Sequence, residues 1–260
     1  MITPDWGFGN VEAELYKLVF LMARVGAAFL VAPIFGAMSV PVQLRLVLSA
    51  AIAVFVSIWV PVATPEALLS VKGMLALLGE LLIGFLFGFV LQLAFAAPVI
   101  AAEVIAGSMG IAIAVAVDPG SGSQTGVLGT YFTLVLTLIF LAMGGHLLWL
   151  RLIIESYSAL PPGGGWVGGE VILRVAGFAA EMFATAFAIA LPITLILLLV
   201  QIVTGVLGRA APALNLFAVG LPAGVLAGIA ALIATAPLLN DRLVAWSVVA
   251  IERAGEIAGG

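Results

Sequence analysis

Eleven residues, AVDPGSGSQTG at 116–126, hold three Gly, two Ser, a Gln, a Thr, a Pro and the lone acid Asp118 between two long apolar runs. Such a set could cradle a phosphate, present a nucleophile or make a turn. A dinucleotide fingerprint needs Gly-x-Gly-x-x-Gly between a strand and a helix, and a P-loop needs a following Lys. Here Gly120, Gly122 and Gly126 are spaced one residue too far, and no Lys follows. A hydrolase elbow would pair Ser121 or Ser123 with His146 as base. A hydrophobic segment near one membrane width separates them, whereas nucleophile and base must lie within hydrogen-bond reach. As a turn the loop is ordinary, because Asp, Pro, Gly and Ser all favour turns.

Other chemistry is sparse. The chain has no Cys and a single His, which excludes thiolate sites and disulfides and disfavours a His-based metal site. No cofactor is expected. The nine Lys and Arg are scattered singly, so nucleic acid is not an expected partner. Arg24, Glu80, Glu103 and Glu181 fall within apolar segments, where charges are costly and mark a partner or a pathway. Arg24 is expected to pair with Glu80 or Glu103. A structural ion pair or subunit contact is preferred here over a polar pathway. Arg151 with Glu155, and Glu170 with Arg174, read as i,i+4 surface pairs. His146 reads as a hydrogen-bonding residue at a helix end.

The elements that carry these residues are set by composition. Of 260 residues, 64% are hydrophobic and 8% charged, with a mean hydropathy of +1.33, against about 25% charged in soluble domains. Six stretches, 25–44, 46–65, 81–102, 119–150, 182–208 and 210–240, contain no Asp, Glu, Lys or Arg. Roughly 20 apolar residues span a bilayer core as a helix. The expected fold class is therefore an all-α integral membrane protein, one domain over 1–260. Its six apolar segments are placed near 15–35, 42–62, 74–97, 127–150, 175–200 and 213–239. Short turns make the first three antiparallel neighbours. No signal peptide is read at the N-terminus, and the last twenty residues are expected to add at most a short interfacial helix, with Trp246 at headgroup level.

Lys72, Arg151, Arg174, Arg242 and Arg253 fall on the face shared with the termini, against Arg45 and Arg209 on the other. This bias places both termini in the cytoplasm. Pro98, Pro192 and Pro222 are expected to interrupt helices, which lipid tolerates only where protein or water satisfies the freed backbone. Gly84 and Gly88, and Gly220, Gly224 and Gly228, lie four apart on helix faces, where backbones can approach closely, within the chain or between subunits. The apolar link 98–126 has no Lys or Arg and does not look like a further full span, so it reads as re-entrant or buried within an assembly.

Four stretches in order, ARVGAAFLVAPIFGAMSVPVQLRLVLSAAIA, ELLIGFLFGFVLQLAFAAPVIAAEVIAGSMGIAIAVAVDPGSGSQTGVLG, FLAMGGHLLWLRLIIESYSALPPG and RAAPALNLFAVGLPAG, resemble the FliR family of the flagellar export apparatus. That family is related to the equivalent subunit of virulence type III systems, and the wording of the motifs favours the flagellar branch. The resemblance covers most of residues 20–240. It implies a non-enzymatic export-gate subunit in the bacterial inner membrane at the flagellar basal body. It also implies assembly with FliP-type and FliQ-type subunits, an FlhB-type partner, membrane lipid around the complex, and unfolded flagellar proteins as cargo. By the same resemblance the helices fold as hairpins standing largely above the membrane plane. A loop plugs the pore, which places the plug at Gly107, Ser108, Met109 and Gly110, with Asp118, Gly120, Ser121, Gly122 and Ser123 in the flanking link. Small uncharged residues suit such a gate, since hydrophobic constrictions close by excluding water. The rival readings are a secondary transporter of a small solute or ion, for which no inverted repeat is found, and an intramembrane enzyme, which lacks a nucleophile–base pair.

Overall fold

The computed structural model describes residues 9–59, 70–111, 126–164, 168–210 and 216–258. Those residues form seven helices and no strand. They are α1 (Gly9–Val31), α2 (Val42–Trp59), α3 (Val71–Ser108), α4 (Val127–Ala142), α5 (Gly145–Ala159), α6 (Gly169–Ala210) and α7 (Leu216–Ala258). The chain is an all-α integral membrane protein. α2, α3, α6 and α7 are each long and apolar enough to cross a bilayer, and α4 with α5 makes a fifth if that broken pair counts as one span. α1, which carries Glu14, Lys17 and Arg24, is not among them.

Boundaries follow local chemistry. α1 ends at Val31 because Ala32 precedes Pro33, and a residue before proline is pushed out of the helical region. Arg45 secures the turns that follow, donating from Nη2 to the carbonyls of Ala37 at 2.6 Å and Val40 at 3.0 Å. The segment predicted over 127–150 is two helices. Met143 caps α4, and Gly144 at φ +70° takes a left-handed conformation that glycine adopts without strain.

α3, α6 and α7 contain 38, 42 and 43 residues, or about 57–65 Å at 1.5 Å per residue. Each exceeds the roughly 30 Å bilayer core. α3 exceeds the predicted 74–97 because Pro98 does not end it, and α6 and α7, which carry Pro192 and Pro222, run on past residues 200 and 239. All three prolines, and Pro237, lie inside continuous helices, which corrects the reading that they break their spans. The C-terminal stretch is likewise the continuation of α7 rather than a short separate helix.

The correction has a visible physical cause at Pro98. A proline cannot donate to the carbonyl four residues earlier, so Ala94 loses its partner within the helix. The indole N–H of Trp246 on α7 donates to that carbonyl at 2.8 Å, and Trp246 is buried, 5% exposed. Trp246, expected at headgroup level, is thus buried and completes a proline-containing helix.

The chain divides into two compact units. The first gathers the described residues up to Leu93, Gly144–Phe178 and those from Val249. Its core packs Phe20, Val25, Phe29, Ala53, Phe87 and Trp149, all at most 1% exposed. Phe35 stacks on Phe29 at 4.8 Å and on Trp149 at 5.5 Å, and the Trp149 indole donates to Phe87 O at 3.1 Å. The second unit holds Ala94–Met143 and Ala179–Val248. Its core includes Ala101, Ile105, Phe132, Phe140, Ile193 and Leu197, with Phe95 edge-on to Phe140 at 5.8 Å.

Replacing Trp246 with Phe removes the donor and should cost about 1–3 kcal/mol, the penalty of an unsatisfied buried polar group. In a Pro98→Ala background the helix supplies its own N–H, so the same replacement should cost clearly less. A double-mutant cycle of unfolding in detergent measures this, and an equal cost in both backgrounds would show that the indole does not serve Ala94.

Candidate functional site

Two groups of the predicted site residues are brought together, one in each unit. In the first unit, Gly84 and Gly88 let α3 lie directly on α1. A Cβ on Gly84 would collide with the Arg24 carbonyl and stand 3.0 Å from Ala27 Cβ. One on Gly88 would stand 2.6 Å from Ala28 O and 2.8 Å from Val31 Cβ. Contacts this short leave no room for any side chain. The glycines meet α1 of the same chain.

That close approach brings Arg24 to Glu80, one turn before Gly84. Arg24 Nε donates to Glu80 Oε2 at 2.8 Å, and the two side chains are 0% and 3% exposed. The planar guanidinium uses its remaining edges on α5 and the turn after it. Nη1 donates to Ser156 Oγ and Nη2 to Leu160 O, both at 2.9 Å. Its flat face lies 4.2 Å from the centre of the Tyr157 ring, a cation–π geometry. The Ser156 hydroxyl in turn donates to Ile153 O at 2.6 Å, Tyr157 OH donates to Leu21 O at 2.7 Å, and Gly163 N–H donates to Glu80 Oε1 at 3.3 Å. Arginine rather than lysine is required, because only its fork serves several acceptors from one plane.

The second unit holds the end of α3. Gly110, at φ +83°, turns the chain out of the helix after Met109. Met109 is 4% exposed and lies over the glycine face of α7. A Cβ on Gly228 would stand 2.5, 2.6 and 2.7 Å from Met109 Cγ, Cε and Sδ, and one on Gly224 would stand 3.0 Å from Met109 O. Gln201 on α6 donates from Nε2 to Ser108 O at 2.8 Å, serving a carbonyl that the end of a helix leaves unpaired. Ser108 Oγ returns to Val104 O at 2.9 Å, and Gly107 is exposed with open space beside it.

The other predicted residues are dispersed. Glu103 is exposed and accepts from Gly126 N–H at 3.2 Å, so it is not the partner of Arg24. Glu181 is half-buried on α6, and Gly220 has open space around it. Asp118, Gly120, Ser121, Gly122 and Ser123 lie outside the described residues. Arg151–Glu155 at 2.6 Å and Arg174–Glu170 at 3.8 Å are exposed pairs. The expectation for His146 is corrected: its Nδ1 is buried without a hydrogen-bond partner among the described residues. The neighbouring amides of Leu147 and Leu148 both donate to Gly144 O. Sequence reasoning missed Ser156, Tyr157, Gln201 and Trp246. Of these, only Gln201, an amide inside an apolar helix, carries a signal in the sequence.

Neither group is arranged to do covalent chemistry. Arg24 and Glu80 neutralise one another, and the end of α3 is built from small or apolar side chains. What the two groups define is a helical membrane protein with one locked charge centre and one seated, uncharged helix end. The chain matches the bacterial export proteins, family 1, over residues 15–246, and it belongs to that family. Among its relatives, the flagellar biosynthetic protein FliR of Escherichia coli (strain K12) is 32% identical over 218 residues, 84% of this chain and 83% of the relative. FliR of Aquifex aeolicus (strain VF5) is 32% identical over 236 residues, 89% and 90% of the two chains. FliR of Bacillus subtilis (strain 168) is 32% identical over 215 residues, 80% of each.

Arg24→Met strands a buried carboxylate and should cost about 3–5 kcal/mol, whereas Arg24→Met with Glu80→Met removes both charges and should recover most of it. Thermal unfolding in detergent measures the stability, and export by the double variant measures the role. Loss of export in a stably folded, charge-free double variant would make the pair part of a conduction pathway rather than a structural lock.

Proposed function

We propose that this chain is a non-enzymatic subunit of the flagellar type III protein export gate. It assembles with FliP-type and FliQ-type subunits to form the pore, with an FlhB-type protein at the entrance and unfolded flagellar proteins as cargo. The observation that carries this reading is the similarity to flagellar FliR proteins over 80% or more of both chains. The complex stands in the bacterial inner membrane at the basal body. In this reading both termini face the cytoplasm.

In this reading Gly107, Ser108, Met109 and Gly110 plug the resting pore, with Asp118, Gly120, Ser121, Gly122 and Ser123 in the adjoining link. Their chemistry supports it. A gate for unfolded chains has to seal against ions yet offer no strong binding site to a passing sequence, and uncharged, compact side chains do both. Met109 adds a flexible apolar side chain that adapts to irregular neighbours. The pairing of Arg24 with Glu80 inside the first unit removes two of the charges that a small-solute transporter would place at its binding site.

Purification in mild detergent should bring FliP- and FliQ-like partners, while a stable, transport-competent monomer in liposomes would overturn the assignment. Deleting Gly107–Gly110 in the assembled complex should make the membrane conduct small ions at rest, and an unchanged conductance would remove the plug role. Gly224→Leu, which drives a side chain into the Met109 carbonyl, should abolish recovery of the assembled complex. Normal co-purification would separate that face from assembly.

A further inference from the structure

The seat of the α3 end differs in kind from the Arg24 centre. Arg24, itself fully buried, is fixed by three hydrogen bonds, one of them the ion pair with Glu80, and by a ring face. From α6 and α7, residues 108–110 receive one neutral hydrogen bond and apolar packing. Gln201 Nε2 donates to Ser108 O at 2.8 Å. Met109 fills the notch that Gly224 and Gly228 leave in α7, and Leu221 lies beside Gly110. Gln201 itself is exposed and Gly107 borders open space. No charged side chain takes part in these contacts. Dispersion in a shape-matched notch is strong when seated and vanishes over a short displacement, and a thioether chain re-enters such a notch through many rotamers.

We propose that Met109 in the Gly224–Gly228 notch, together with the Gln201–Ser108 hydrogen bond, forms a releasable latch. It holds the end of α3 in its resting position and opens whenever the gate conducts. Gln201 and Gly228 are thereby positioning residues for the plug, acting through α3 rather than on the cargo. The proposal rests on the plug reading of residues 107–110. It adds the elements that hold the plug and the contact that has to break.

The chain has no cysteine, so a disulfide placed across the notch reports on it alone. A disulfide requires Cβ atoms about 3.5–4.5 Å apart. A Cβ on Gly228 lies 2.5 Å from Met109 Cγ, one bond beyond Met109 Cβ, which suits a Met109→Cys, Gly228→Cys pair. In the complete assembled complex the pair should cross-link under mild oxidation, export should stop, and a reductant should restore it. Failure to cross-link, with both thiols reactive towards a maleimide, would overturn the contact. Cross-linking with undiminished export would overturn the requirement that the latch open.

Should the cysteine pair fail to assemble, Gln201→Leu tests the same latch without touching the notch. It should raise the resting ion leak roughly two- to tenfold, the population change that one neutral hydrogen bond supports, and an unchanged leak would overturn the proposal. Failure of the plug reading is separately visible, because it alone predicts that the Gly107–Gly110 deletion leaks. A leaky deletion beside an uncrosslinked pair rejects the latch and keeps the plug.

Discussion

The contact between α1 and α3 is the constraint on which the first unit depends. Two glycines one turn apart present bare backbone, so the Arg24 and Ala28 carbonyls occupy the space that Cβ atoms on Gly84 and Gly88 would need. With the two helices in direct backbone contact, Arg24 reaches Glu80 and presents its other nitrogens to α5 and the turn after it. A charge in a membrane segment is costly unless neutralised and fully hydrogen-bonded. Ser156, Leu160 and the Tyr157 face supply what Glu80 alone does not. Backbone proximity thus comes first, and the polar network is its consequence.

The second unit uses the same device for a different end. Gly224 and Gly228 again admit a neighbour to the helix surface, but the neighbour is a flexible methionine at a helix terminus. Replacing a rigid guanidinium by a thioether exchanges directional bonds for shape alone. Small-residue faces therefore do not carry one meaning in this chain. One fixes a helix pair and the other seats a helix end, and the difference lies in what is seated.

Much of this was legible in the sequence, and the rest was hidden for identifiable reasons. Low charge and long apolar runs established helical membrane segments, and four-residue glycine spacing located both faces. Span order narrowed the partner of Arg24 to Glu80 or Glu103, and only the position of Gly84 decides between them. Pro98 was misread because the local rule concerns the helix that contains it, while the remedy comes from Trp246, 152 residues away. The same distance made Trp246 look like an interfacial anchor. His146 reads as a hydrogen-bonding residue because nothing in sequence reveals that its Nδ1 is buried without a partner among the described residues. The order of four motifs, rather than any single residue, made the family recognisable. The polar loop from Asp118 to Ser123, richest in apparent chemistry, lies outside the described residues.

The bond from Trp246 to Ala94 also sets an order of events. Ribosomes make α3 long before α7, so the Ala94 carbonyl enters the bilayer without the donor that later serves it. Arg24 is in the same position, since Glu80 is made 56 residues later and Ser156 132 residues later. In hydrocarbon such open groups are unfavourable by several kcal/mol each. Until their C-terminal partners are synthesised, the early helices lack bonds that they hold in the complete fold. A chain truncated before Trp246 would lack more than its tail, because its third helix would be left chemically unfinished.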